Sequence, residues 1–195
     1  IDKIVYPVLG SDKEDGIRCI KVNGKALSNS LKPIRNTFIR NYIEKHCPDG
    51  FDGEIVLEKD GKTLPFNEIS SAVMSEDGEP DFTYIVFDYV KDSLLTPYTQ
   101  RIKDLAACPA IPRIKYLLPT LINNKEEFLE FETKCLVRGK EGVMFRSLSG
   151  PYKNGKSTFK EGYLIKFKRF EDAEALVLSV YEKMHNTNEA TTNEL

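Results

Sequence analysis

Two short stretches hold residue types that could do chemistry. In Lys13-Glu14-Asp15-Gly16-Ile17-Arg18 a lysine stands where a loop enters a strand, ahead of a glycine and an arginine. A lysine is a nucleophile only when neutral. At its ordinary pKa of ~10.4 about one in a thousand is neutral near pH 7.4, so a working site must lower that value. Neighbouring cations would do so; Asp12, Glu14 and Asp15 push the other way, and the outcome depends on where their side chains point. Gly16 permits a positive φ or a close approach of the backbone to a ligand. In the second stretch, Leu164-Ile165-Lys166-Phe167-Lys168, period-2 alternation sends both lysines to one face and Ile165 and Phe167 to the other. Two converging ammonium groups can bind phosphate oxygens and depress the pKa of a third lysine beside them. Taken singly, the first stretch also reads as a surface turn and the second as an ordinary amphipathic strand.

Between them lie Asp52-Gly53-Glu54 at a strand start, Phe87-Asp88 inside an apolar run, and Glu141-Gly142-Val143-Met144 after Gly139. The elements that must position these residues are legible in part. Residues 17–22 read as a strand, and Asn23-Gly24 is a type I′ turn signal into residues 25–27. After Pro33, placed in a first helical turn, Ile34, Phe38, Tyr42 and Ile43 form a helical stripe. Residues 54–58 read as a strand turning at Asp60-Gly61, and 83–90 as a strand buried on both faces. Thr96-Pro97 opens a helix with Tyr98, Ile102, Leu105 and Ala106 that Cys108-Pro109 ends, and a further helix over 124–138 stops at Gly139. Short strands are predicted at 142–146, 162–169 and 174–183. This irregular interleaving predicts an α+β class, with mixed sheets packed by helices.

The 195 residues are 41% hydrophobic and 30% charged, with no apolar run near the ~18–20 residues of a membrane span, so a globular chain with no membrane partner is expected. Cys19, Cys47, Cys108 and Cys135 are dispersed, and His46 and His185 do not cluster with them. That pattern argues against a zinc site and for a reducing, intracellular or cytoplasmic setting, viral or phage-encoded proteins acting in a host cell included. No charged-then-apolar leader follows Ile1, which suggests an excised fragment. The formal charge of −2 conceals blocks: residues 21–45 and 151–170 each sum to +5, residues 51–95 to −8 and residues 171–195 to −5. Charge runs are commonly solvated faces, but two cationic segments are also what a nucleic-acid partner requires.

In order and spacing, the five elements from Lys13 to Lys168 resemble the motifs of the covalent nucleotidyltransferases: DNA ligases, RNA ligases and mRNA capping enzymes. The resemblance implies a nucleotidyltransferase (ATP-grasp-like) fold of antiparallel and mixed sheets flanked by helices. It makes Lys13 the nucleophile that holds a nucleoside monophosphate as a phosphoramidate. Arg18 would contact ribose and phosphate, Glu54 accept from a ribose hydroxyl, and Phe87 stack on the base with Met144 on its other face. Glu141 would help place a divalent cation, Mg2+ first among candidates, and Lys166 and Lys168 would neutralise the α-phosphate. Ser11 stands where related enzymes often contact the base. Strict alternation would send Glu141 and Met144 to opposite faces, so a shared site requires Glu141 to lie in the loop.

Several details are similar to ATP-dependent DNA ligases in particular. The run from Tyr152 to Thr158, followed by residues 161–166, resembles the ligase segment joining the last two motifs. Residues 170–175 resemble the opening of the ligase OB-fold domain. The implied organisation is a nucleotidyltransferase (adenylation) domain over residues 1–170, then a linker and the first strand of a truncated OB-fold over 171–195. The implied reaction transfers AMP from ATP to Lys13, then to the 5′-phosphate of nicked duplex DNA, before a 3′-hydroxyl displaces it; the chain would act as a monomer. Asn29 stands where DNA ligases usually carry an arginine facing the nick phosphate, with Lys32 and Arg35 as candidate substitutes. An RNA ligase, a GTP-using capping enzyme and a silent nucleotide-binding domain are the alternatives.

Overall fold

The computed structural model describes residues 4–155, 157–158, 160–169 and 176–180. In chain order the elements are β1 (Val8–Asp12), β2 (Ile17–Val22), β3 (Lys25–Ser28), α1 (Thr37–His46), β4 (Phe51–Lys59), β5 (Lys62–Thr63), α2 (Phe66–Met74), β6 (Phe82–Tyr89), α3 (Tyr98–Ala106), β7 (Ile114–Tyr116), β8 (Thr120–Ile122), α4 (Lys125–Val137), β9 (Val143–Ser147) and β10 (Leu164–Phe167). They build two sheets. The larger runs β3-β2-β4-β6-β7, with β5 paired to β4, and only β6 and β7 are parallel. The smaller runs β10-β9-β1-β8, all antiparallel.

Each sheet buries one apolar face. Ile39 and Ile43 of α1, Ile69 and Val73 of α2 and Leu105 of α3 share a core with Phe51, Phe82 and Tyr84 of the larger sheet. Phe128 and Cys135 of α4 pack with Val8, Ile122, Val143 and Phe145 of the smaller, and Ile165 and Phe167 join them. The two lysine-bearing stretches are thereby attached to separate cores.

Asn23 and Gly24 both take positive φ, 50° and 75°, as the hairpin between β2 and β3 requires, and Asp60-Gly61 repeats the device at 53° and 74°. The first helix begins later than the stripe from Ile34 suggests. Asn36 caps it, accepting from the Ile39 N–H at 2.9 Å, while its amide donates to the carbonyls of Asp77 and Gly78 at 3.2 Å. Pro33 instead bridges to Leu27, so Pro33 and Ile34 precede the helix. The strand expected over 162–169 narrows to Leu164–Phe167 and leaves Lys168 just beyond it. Residues 176–180 form no regular element; the rest of the strand expected over 174–183, and residues 170–175, lie outside the described residues.

Candidate functional site

The site is assembled from facing surfaces of the two sheets. In the smaller sheet Ser11, Met144 and Lys166 lie in register across β1, β9 and β10, and Leu9, Arg146 and Leu164 form the next row on that face. Gly10, Phe145 and Ile165 occupy the intervening row, whose face turns to the core. In the larger sheet Arg18 is paired with Glu54, and Asp52 lies two residues from Glu54 on the same face. Val86 opposes Gly53 and Asp88 opposes Asp52, so Phe87 has no opposed residue and sits at a β-bulge. The Arg146 guanidinium lies 4.9 Å from the Phe87 ring centroid, which places the bulge against the β9 face of the smaller sheet.

Lys13 sits in the β1–β2 connection, its N–H donating to the Gly142 carbonyl at 3.0 Å and its Nζ to Glu141 Oε2. Lys168 Nζ reaches the other oxygen of that carboxylate at 3.1 Å. Glu141 lies in the loop before β9, so alternation does not oppose it to Met144. This approach needs Gly142, where a Cβ would collide with the Phe167 carbonyl oxygen. Gly16 is constrained alike, because a Cβ there would collide with the Ile55 carbonyl oxygen and lie 3.0 Å from Glu54 Cγ.

The acids beside Lys13 point elsewhere. Asp12 accepts from Arg138 at 2.5 Å and from the Cys135 thiol at 2.9 Å, and Glu14 takes both of its hydrogen bonds from Lys140, at 2.7 and 2.8 Å. Asp15 is exposed. Arg138 and Lys140, at and just beyond the end of α4, thus withdraw two carboxylates from the lysine. The sequence offered no signal for these pairs, because they span more than 120 residues.

Charge coupling unites the remaining groups. Burial, with a further push from Asp52, raises the Glu54 carboxyl to about 7 against the opposing pull of Arg18, Lys13 and Lys166. Burial lowers Lys166, and the charges of Lys13 and Arg18 lower it further, while Glu54 and Glu141 pull back. Burial works to raise Glu141, but its bonds from Lys13 and Lys168 prevail and hold it below the usual range. The lowered lysine is thus Lys166, with Lys13 among the causes, whereas the sequence cast Lys166 as one of the groups doing the lowering.

Arg18, Tyr152 and Lys166 line a cleft of about 1260 Å³ that also takes in Asn29, Leu31 and Leu164. Lys13, Glu54, Phe87 and Glu141 are not on its wall; the ionic cluster meets the cleft at Arg18 and Lys166. Lys32 and Arg35 are exposed and stand apart from the cluster, with no side-chain partner among the described residues. Tyr152 belongs to a ligase-like run, but nothing in its sequence neighbourhood places its hydroxyl on Asp52.

Residues 13–168 match the family model of the ATP dependent DNA ligase domain. This chain belongs to the ATP-dependent DNA ligase family. Two crystal structures of a Chlorella virus DNA ligase-adenylate are each 38% identical to this ligase domain with TM-score 0.79, over 89% and 88% of this chain and 66% and 64% of theirs. The ligase domain thus spans just under two thirds of those relatives. A structure described as a Lig E DNA ligase shares the fold at 24% identity and TM-score 0.69, covering 91% of this chain and 68% of that one. Curated protein sequences give no match. The nucleotidyltransferase fold expected of the ligase domain is the fold it has. DNA ligase is favoured over the RNA ligase and capping-enzyme alternatives. No helix among the described residues is long and apolar enough to cross a membrane.

Proposed function

We propose that the chain is the adenylation domain of an ATP-dependent DNA ligase, with Lys13 as its nucleophile. The observation that carries the reading is the ionic cluster: Lys13 bonds Glu141, which it shares with Lys168, and its charge acts with that of Arg18 on Glu54 and Lys166, while Asp12 and Glu14 are paired elsewhere. Neutral Lys13 Nζ attacks the α-phosphorus of ATP, the bond to the bridging oxygen breaks, pyrophosphate leaves with the electron pair, and Nζ gives up one proton to water. AMP remains on Nζ as a phosphoramidate. Lys166 and Lys168 offset the growing charge on the non-bridging oxygens, where such transfers gain most of their stabilisation. Arg18 and Glu54 hold the ribose side, Phe87 and Met144 the base, and Ser11 is placed to touch its edge. AMP then passes to the 5′-phosphate of nicked duplex DNA, and the 3′-hydroxyl displaces it.

A divalent cation fits one carboxylate of this site. Among the described residues no three His, Cys, Asp or Glu converge as a cage. Mg2+ is commonly held by one or two carboxylates plus substrate phosphates. Glu141 would hold it, and bound there it would supply positive charge to the phosphates. Exposed Lys32 and Arg35, with Asn29 on the cleft wall, would meet the DNA backbone. Four free thiols accord with an intracellular, reducing setting. The domain boundary is placed near residue 170, with the linker and first OB-fold strand over 171–195, and the chain acts as a monomer.

The test is covalent labelling with α-phosphate-labelled ATP and, in competition, GTP. An acid-labile adduct from ATP that disappears in Lys13→Ala is expected. Label retained in Lys13→Ala would refute the assignment, preference for GTP would favour the capping reading, and reversible binding with no adduct the silent one.

A further inference from the structure

Arg18 is held from one side only. Its Nε donates to Asp52 Oδ1 at 3.0 Å and its Nη2 to Asp52 Oδ2 at 2.8 Å, the two-pronged geometry in which a guanidinium binds a carboxylate most tightly. Nη2 also reaches the Tyr152 hydroxyl at 3.2 Å, and that hydroxyl donates to Asp52 Oδ2 at 2.9 Å. Tyr152 comes from the β9–β10 connection, 134 residues from Arg18. Its N–H is fixed on the Leu94 carbonyl at 2.7 Å, and the Arg101 guanidinium lies 5.7 Å from its ring centroid. Asp52 is 1% exposed, so its carboxylate has no solvent to fall back on.

Arg18 has five N–H donors. Asp52 and Tyr152 occupy those on Nε and Nη2. The two on Nη1 have no hydrogen-bond partner among the described residues, and Arg18 lines the cleft beside Tyr152 and Lys166.

We propose that Tyr152 is a positioning residue: through Asp52 it locks the Arg18 fork so that the Nη1 edge is offered to an oxygen-rich ligand in the cleft. The inference rests on the reading of Arg18 as a contact to the ribose side of ATP. Without the hydroxyl, Asp52 loses a donor and the fork can swing about the arginine stem, so the aim of Nη1 is lost although the charge remains.

A double-mutant cycle tests this, with lysyl-AMP formation measured against ATP concentration in the full 195-residue chain. Tyr152→Phe keeps the ring and its stacking on Arg101. It is expected to raise the apparent KM for ATP about tenfold, the scale of one hydrogen bond to a charged group, with kcat within about threefold of wild type and the thermal midpoint nearly unchanged. Arg18→Lys keeps the charge but has no fork to aim. In that background Tyr152→Phe is expected to change KM by less than about twofold, since coupled residues fail to add. An equal loss in both backgrounds overturns the inference while leaving Lys13 as the nucleophile. Absence of labelling in the wild type overturns both. Should Tyr152→Phe fail to fold, the isosteric Asp52→Asn replaces it in the same cycle: a loss confined to the Arg18 background supports the inference, and an equal loss in both overturns it.

Discussion

At the scale of single residues, the decisive features are pairings that free some groups and tie others. Lys13 is surrounded in sequence by three acids, yet its ionic partner is Glu141, 128 residues away. Residue types marked the lysine as a candidate but left the sign of its surroundings open, because sign depends on side-chain direction. Glu54 has a measurable consequence. Its carboxyl lies at about 7 rather than its ordinary 4.5. Between those values the unfolded chain has released the Glu54 proton and the folded chain retains it, so this residue's contribution to stability falls as pH rises through the window. Glu54→Gln is expected to flatten the thermal midpoint between pH 5 and 8, removing a dependence on the order of 2 kcal/mol. An unchanged slope in thermal melts across that range would show that Glu54 is not displaced. ATP affinity is expected to move oppositely, rising with pH toward 8, since the ionised carboxylate is the better acceptor for a ribose hydroxyl.

At the scale of elements, local signals served well wherever a turn or stop is built from its own residues. The hairpins at Asn23-Gly24 and Asp60-Gly61, the helix ended by Cys108-Pro109 and the stop at Gly139 all stand where the sequence placed them. Other elements gave no comparable signal: β1 and β8 are short strands of the smaller sheet with distant partners, and α2 is nine residues with only Ile69 and Val73 fully buried. The first helix starts later than its apolar stripe implies because Asn36 is fixed by the carbonyls of Asp77 and Gly78, some 40 residues on. The crossing of the Glu141 loop with β10 is similarly tertiary. Gly142→Ala is expected to cost about 2 kcal/mol, the scale of overpacking a tight contact, because backbone must move to admit the Cβ. It should also displace Glu141, so urea unfolding and adduct formation are expected to fail together; loss of neither would mean the crossing is slack.

At the scale of the whole molecule, two separately cored sheets are held in a fixed relation, and the site exists only while they are. Arg101 of α3 is central to that joint. It is 2% exposed and grips Asp88 of β6 at 2.7 and 3.1 Å, while donating to Thr96 and, at 3.1 Å, to the carbonyl of Gly150, just ahead of Tyr152. Arg101→Met leaves a buried carboxylate without its partner and is expected to cost about 3–5 kcal/mol in urea denaturation. A loss below about 1 kcal/mol would mean the sheets are joined by other contacts. Net charge was uninformative at this scale, whereas its placement was not: residues 151–170 contain Lys166 and Lys168, and residues 21–45 contain Lys32 and Arg35. By itself the sequence determined the α+β class and most local turns, because residue types and short spacings encode those directly, and the order of its five motifs carried the family. Only the tertiary structure decided which acids face Lys13, that Phe87 sits at a bulge, and that Tyr152 reaches Asp52. Each of these depends on contacts between residues far apart in the chain, where neither periodicity nor spacing constrains direction.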